Sequence, residues 1–154
     1  MNSLKEGDVA PAIETIDQDG NPFSLGSLKG KKVVLYFYPK DDTPGCTAEA
    51  CNLRDNYSLL KAKGFEIVGI SADSQQSHQK FSGKYTLPFT LIPDVDKKII
   101  KAYGVWGEQK MYGKVYEGIL RTTFIISEEG KIEKIFTKVE TGNHTSQILN
   151  ELSK

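Results

Sequence analysis

The chain has 154 residues, and its 20 Lys and Arg are balanced by 20 Asp and Glu, so the formal net charge at neutral pH is zero. That length fits one domain spanning residues 1–154 and burying roughly two thirds of its unfolded surface, and 38% hydrophobic with 26% charged residues is a globular rather than a disordered composition. With no basic excess, the composition speaks against DNA, RNA or an anionic membrane as a partner.

In chain order, the polar stretch from Met1 to Asp8 lacks the apolar core of a signal peptide. Asp19-Gly20-Asn21-Pro22 lies between Ile13-Glu14-Thr15-Ile16 and Phe23-Ser24-Leu25 and predicts a tight turn joining two short strands. Val33 to Tyr38 is a continuous β-branched and aromatic run, the pattern of a central strand buried on both faces, and Pro39 stops it. It is also the longest apolar run, far too short to span a bilayer, so a cytoplasmic address is the expectation.

From Cys46 to Lys63 the residues Cys46, Ala50, Leu53, Tyr57 and Leu60 recur at helical spacing, and Gly64 follows as a C-terminal stop. Phe65 to Ile70 predicts a second buried strand. Ser74 to Tyr85 predicts a helix capped by its serine, and Asp96 to Tyr103 another that ends at Gly104. The segment from Trp106 to Gly118 shows no clear period and reads as a loop or lid. Thr122 to Ile126 is a third buried strand, and Glu128-Glu129-Gly130-Lys131 turns the chain into Ile132 to Phe136, whose alternation predicts a half-exposed antiparallel strand. Thr145 to Leu152 closes the chain as a helix. Helices alternating with buried strands, then a terminal hairpin and helix, describe an α/β fold around a mixed sheet.

The chemistry-bearing stretch is Pro39 to Cys51. Thr43 is a suitable helix N-cap with Pro44 at the first helical position, which places Cys46 in the first turn. Unpaired backbone N–H groups and the positive end of the helix dipole favour a thiolate there, and the thiolate is the nucleophilic form. The alternative is that Cys46 is a small apolar plug at a strand–helix junction. Cys51, five residues on, is rotated about 140° from Cys46 and raised about 7.5 Å along a helix. That rise exceeds the Cα separation of about 4.4–6.8 Å that a disulfide accepts. Either Cys51 is an ordinary helix residue, or it pairs with Cys46 only after the first turns unwind.

The four-residue gap between the cysteines departs from the C-x-x-C of a thioredoxin-like exchanger. Two cysteines with His78 and His144 match no zinc-ligand spacing, so no metal is expected. His78 reads as an exposed helix residue and His144 as a residue of the cap region before the last helix. The chain has two arginines. Arg54 reads as half of a structural ion pair on the cysteine helix. Arg121, before the third buried strand, is either a solvated edge residue or lies at the rim of the sheet beside the Cys46 loop, where a guanidinium would hold the thiolate.

Pro39-x-x-x-Thr43-x-x-Cys46 resembles the active-site pattern of the peroxiredoxins. Gly45-Cys46-Thr47-x-Glu49-x-Cys51-x-x-Arg54-Asp55 resembles their branch called peroxiredoxin Q, or bacterioferritin comigratory protein. The likeness extends through Gly7-Asp8-x-Ala10-Pro11, Gly69-Ile70-Ser71-x-Asp73, Ser77-His78-x-x-Phe81, Leu87-Pro88-Phe89, Tyr103-Gly104-Val105 and Arg121-x-Thr123-Phe124, with a departure at Leu53, where the branch usually has an aromatic residue. The resemblance implies a thioredoxin-like fold and a thiol peroxidase acting on hydrogen peroxide and organic hydroperoxides without metal, haem or flavin. It implies Cys46 as the attacking cysteine, Thr43 as a hydrogen-bonding partner of the peroxide, Pro39 as a shield and Arg121 as a stabiliser of thiolate and transition state. It further implies Cys51 as the resolving cysteine and thioredoxin or a similar dithiol as reductant, and with no cysteine-bearing C-terminal extension to reach a partner a monomer is the expectation. Two rivals stand beside it: a dithiol–disulfide exchanger acting on proteins, and a redox sensor whose unwinding helix exposes a docking surface.

Overall fold

The computed structural model describes residues 4–153, so Met1 to Ser3 of the polar N-terminal stretch lie outside the described residues. The chain runs β1 (Glu14–Ile16), β2 (Pro22–Ser24), β3 (Lys32–Phe37), α1 (Pro44–Asp55), α2 (Tyr57–Ala62), β4 (Phe65–Ser71), α3 (Gln75–Tyr85), β5 (Thr90–Pro93), α4 (Lys98–Ala102), β6 (Trp106–Met111), β7 (Lys114–Ile119), β8 (Thr122–Ile126), β9 (Ile132–Phe136) and α5 (His144–Leu152). Five strands form the central sheet in the order β5-β4-β3-β8-β9, and β1-β2 and β6-β7 form separate two-stranded sheets. β3 pairs parallel with β4 and antiparallel with β8, which makes the sheet mixed.

β3 is central because both of its faces are covered. Val33, Leu35 and Phe37 face one core, shared with Ile99 and Ile100 of α4 and with Ile13 and Leu25 near the N-terminal hairpin. Val34, Tyr36 and Tyr38 face the other, packed against Ala50 of α1, Leu60 of α2, Phe81 of α3 and Ile148 of α5. This alternation along one strand produces three layers, with the sheet in the middle.

The predicted turns hold. At Gly20, φ is +81°, and the Asp17 carboxylate accepts from the N–H groups of Asp19 and Asn21, closing the β1–β2 hairpin. Ser74 caps α3 by accepting from the Ser77 N–H at 3.1 Å. Two expectations are corrected, and one strand, β5, was not predicted at all. The helix predicted from Cys46 to Lys63 is two helices, broken at Asn56, whose side chain bonds back to the Asn52 carbonyl. β5 carries no period long enough to predict. The segment read as a loop or lid is the β6–β7 hairpin, turned by Tyr112 and Gly113 at φ +53° and +77°. Two consecutive positive φ values match a two-residue hairpin turn. β7 is mostly exposed, so neither of its faces is marked by buried hydrophobics.

Gly69 of β4 has no room for a side chain: a Cβ there would stand 2.8 Å from the Tyr36 ring and 2.9 Å from Leu91. Both neighbours are fully buried, so neither can yield freely. Gly69→Ala is expected to destabilise the fold by about 2 kcal/mol through overpacking, read as a lower urea midpoint at unchanged slope. An unchanged midpoint would show that the two neighbours repack at no cost.

Candidate active site

Sheet register brings the sequence-predicted residues to one rim. Phe37, at the end of β3, pairs with Thr122, at the start of the antiparallel β8. The loop that follows β3 and the residue that precedes β8 therefore leave the sheet side by side. Thr43 and Cys46 come from the first path and Arg121 from the second. Of the two readings of Arg121, solvated edge or rim of the site, the structure shows the rim.

Thr43 adopts extended backbone as the N-cap of α1, Pro44 occupies the first helical position, and the Thr47 N–H closes the first helical bond on the Thr43 carbonyl at 2.8 Å. The Thr43 hydroxyl does not cap the helix. It donates to the Lys40 carbonyl at 2.8 Å, and no side-chain cap hydrogen bond is made to the first turn. Cys46 sits in that turn, 1% exposed, and is a free thiol, as is the half-buried Cys51. Pro39 is exposed just beyond β3. Arg54 makes the expected ion pair, with Asp55 at 2.9 Å, and also donates to the Tyr85 carbonyl.

The deciding contact is Arg121 Nη2 to Cys46 Sγ at 3.2 Å. The same guanidinium donates through Nη1 to Glu49 Oε1 at 2.6 Å. Gly45 eases the approach, since a Cβ there would stand a tight 3.2 Å from Arg121 Nη2. Burial alone would lower the Arg121 pKa, but the charges and hydrogen bonds of Cys46 and Glu49 outweigh it and hold the group above its ordinary value. Arg121 is a fixed cation aimed at the sulfur.

Glu49 was not singled out as a site residue by the sequence reading, although a charged residue one helical turn after Cys46 was a signal. Its side chain is fully buried, and desolvation pushes its carboxyl up from 4.5 to about 7, with Arg121 pulling the other way. Among the described residues Oε2 has no hydrogen-bond donor. The nearest ring nitrogen, His144 Nε2 at 3.7 Å, faces the Thr123 hydroxyl at 2.8 Å, while His144 Nδ1 faces Gln147 Oε1 at 2.9 Å. Gln147 Oε1 accepts only, so the proton sits on Nδ1 and Nε2 accepts from Thr123. Burial lowers the His144 pKa and Arg121 adds to the effect, which keeps the ring neutral. His144 is thus a buried residue of α5 rather than a residue preceding it.

His78 is also fully buried, against the expectation of an exposed position. It forms with Asp41 and Asp73 the one cluster of potential metal ligands among the described residues. Its Nδ1 meets Asp41 Oδ2 at 2.6 Å, and Asp73 Oδ2 already accepts from the Asp41 N–H and the Ser71 hydroxyl. The donor atoms are spent on one another, as in a hydrogen-bonded network.

Residues 7–135 match the AhpC/TSA family. The chain belongs to that family. It lies in the peroxiredoxin Q/Bcp branch, being 46% identical to Peroxiredoxin Bcp of Escherichia coli over 100% of this chain and 99% of that one. The fold is similar to that of a cysteine-to-serine variant of PrxQ from Xylella fastidiosa, with a TM-score of 0.90, 29% identity, and 99% and 98% of the two chains covered. It is also similar to the bacterioferritin comigratory protein of Xanthomonas campestris, solved to give insight into its alkyl peroxide reduction activity, with a TM-score of 0.84, 35% identity, and 92% and 90% covered. The thioredoxin-like peroxiredoxin fold expected from the sequence is the one observed. No helix among the described residues is long and apolar enough to cross a membrane.

The raised carboxyl of Glu49 gives a signed pH effect. A protonated Glu49 suits the fold, so its contribution is fully present below about pH 4.5 and is lost as pH rises through about 7. Relative to Glu49→Gln, the wild-type protein is expected to lose roughly 2 kcal/mol of unfolding free energy between pH 5 and pH 8, measured by urea denaturation of the reduced proteins. Parallel pH profiles for the two would show that Glu49 is ionised without penalty.

Proposed function

We propose that this peroxiredoxin is a thiol peroxidase that reduces hydrogen peroxide and organic hydroperoxides through Cys46. The observation that carries the reading is the 3.2 Å contact between Arg121 Nη2 and Cys46 Sγ. A guanidinium fixed on a sulfur in the first turn of a helix favours the thiolate from two directions, by charge and by the N-terminal dipole. The alkyl peroxide reduction reported for the Xanthomonas campestris relative supports the same chemistry.

In the first step the Cys46 thiolate attacks the terminal oxygen of R–O–OH. An S–O bond forms as the O–O bond breaks, giving the sulfenic acid Cys46–SOH and an alkoxide that takes a proton to leave as ROH. The sulfur is oxidised by two electrons and the peroxide is reduced by two. Because the Thr43 hydroxyl proton is committed to the Lys40 carbonyl, its lone pairs are the part available to the substrate, and it accepts the hydrogen of the peroxide O–H. Arg121 donates to the oxygens as charge spreads onto the breaking bond, an interaction stronger in the transition state than in the ground state. Pro39, at the mouth of the loop, keeps water from the sulfenic acid.

In the second step the Cys51 thiolate attacks the Cys46 sulfur and displaces hydroxide, which leaves as water once protonated. A disulfide results, and an external dithiol of the thioredoxin kind returns both thiols by exchange. A regular helix keeps positions 46 and 51 too far apart for that bond, so the N-terminal turns of α1 unwind between the two steps. This intramolecular route needs no second chain.

Stopped-flow mixing of reduced protein with hydrogen peroxide tests the assignment. Cys46→Ser is expected to show no fast oxidation. Arg121→Ala should slow the first step by about 10²-fold, the scale for removing one aligned donor. Cys51→Ser should consume one equivalent and then stop in the presence of thioredoxin and its reductase. Fast oxidation in Cys46→Ser, or a first step indifferent to Arg121→Ala, would remove those residues from the assigned roles.

A further inference from the structure

The loop that carries Pro39 and Thr43 is tied to α3 through two adjacent carboxylates and, through the Asp41 N–H, to Asp73 just beyond β4. Asp42 is held in the left-handed region at φ +58°, a conformation unfavourable for a residue with a side chain, while its carboxylate accepts from Lys84 Nζ and Tyr85 Oη, both at 2.7 Å. These contacts are exposed and individually weak. The buried tie is Asp41. Its Oδ1 accepts from the Tyr38 hydroxyl at 2.6 Å, and its Oδ2 accepts from the Ser77 hydroxyl at 2.8 Å and meets His78 Nδ1 at 2.6 Å. Its backbone N–H donates to Asp73 Oδ2 at 2.8 Å.

The His78 ring resolves where the protons are. Nε2 faces the Ile92 carbonyl at 3.0 Å, and a carbonyl oxygen only accepts, so Nε2 carries hydrogen. If Nδ1 were bare, its lone pair would face a carboxylate oxygen at 2.6 Å in a fully buried setting, which no hydrogen bond would offset. A second proton therefore lies between Nδ1 and Asp41. With the Tyr38 and Ser77 hydroxyls also donating to the carboxylate, the pair is an imidazolium clamped on a carboxylate, neutral in sum. It joins β5, α3 and the active-site loop at one point.

We propose that His78 is a positioning residue for the peroxide reaction: through the proton shared with Asp41 it latches the loop before α1, holding the helix start folded against the unwound form that disulfide formation needs. The inference rests on the two-step reading above. Peroxide reacts with the latched form, in which Cys46 meets Arg121. Cys51 reaches Cys46 only from the unlatched form, so the latch sets the rate of the second step.

The test compares wild type with His78→Gln, which keeps a donor near the Ile92 carbonyl but loses the reach to Asp41, and with Asp41→Asn, which keeps the side-chain size and removes the charge. Ile132→Ala, in the opposite core at the far end of the sheet, serves as a control that lowers global stability without touching the loop. Both latch variants are expected to form the disulfide about tenfold faster after oxidation, the scale of one charge-assisted hydrogen bond, with a first step no faster than in wild type. Ile132→Ala should leave the disulfide rate unchanged. Proton NMR of the reduced wild type, which requires no variant to fold, should show a strongly downfield bridging proton that is absent in His78→Gln. Unchanged or slower disulfide formation in the latch variants, acceleration in Ile132→Ala as well, or a wild-type spectrum without the bridging proton would overturn the latch. Failure of the two-step reading itself would show differently, as wild-type protein that oxidises slowly or never forms the disulfide.

Discussion

One guanidinium, shared between a sulfur and a buried carboxylate, is the constraint around which the rest is arranged. Arg121 touches Cys46 Sγ and Glu49 Oε1 at once, and both of its partners lie on the first turns of α1. The contact requires α1 to start directly under the end of β3, and β8 to run antiparallel beside β3, so that Arg121 emerges at the same rim. Glycine at position 45 eases it, since a Cβ there would stand 3.2 Å from the guanidinium. Burial raises the cost of every unpaired charge in this arrangement, which is why Glu49 resists ionisation while Arg121 remains a cation.

The same contact sets two demands against each other. Peroxide chemistry is served by a rigid first turn in which thiolate and cation are aligned. The disulfide proposed for the second step would be served by the loss of that turn. The N-terminus of α1 is held both by Cys46 and Ala50, which are buried in the apolar core, and by polar ties at its rim. Arg121 binds one side and the Asp41–His78 pair secures the preceding loop. Asn52, just after Cys51, accepts from the Thr145 N–H and donates to the Gly142 carbonyl, anchoring the following turn to the start of α5.

Much of this was legible in the sequence where hydrophobic pattern and geometry coincide. Val33 to Tyr38 and Thr122 to Ile126 read as buried strands because both of their faces are apolar, and they are. Thr43-Pro44 marked the start of α1 correctly, although the threonine hydroxyl serves the Lys40 carbonyl instead of the helix. The β6–β7 hairpin escaped because β7 is largely exposed and leaves no buried stripe, and its turn uses Tyr112-Gly113 rather than a common turn pair. His78, His144 and Glu49 escaped for a different reason. A polar residue buried in a hydrogen-bonded network interrupts the apolar period at the point where it matters, so pattern alone assigns it to the surface.

The most direct measurement is the intact mass of reduced protein quenched at intervals after mixing with one equivalent of hydrogen peroxide. The account predicts a transient gain of one oxygen, then within a single chain the loss of two hydrogens relative to the starting mass, at a rate far above that of a free thiol. Oxidation no faster than a free thiol, or a final product that retains the oxygen or links two chains, would contradict it.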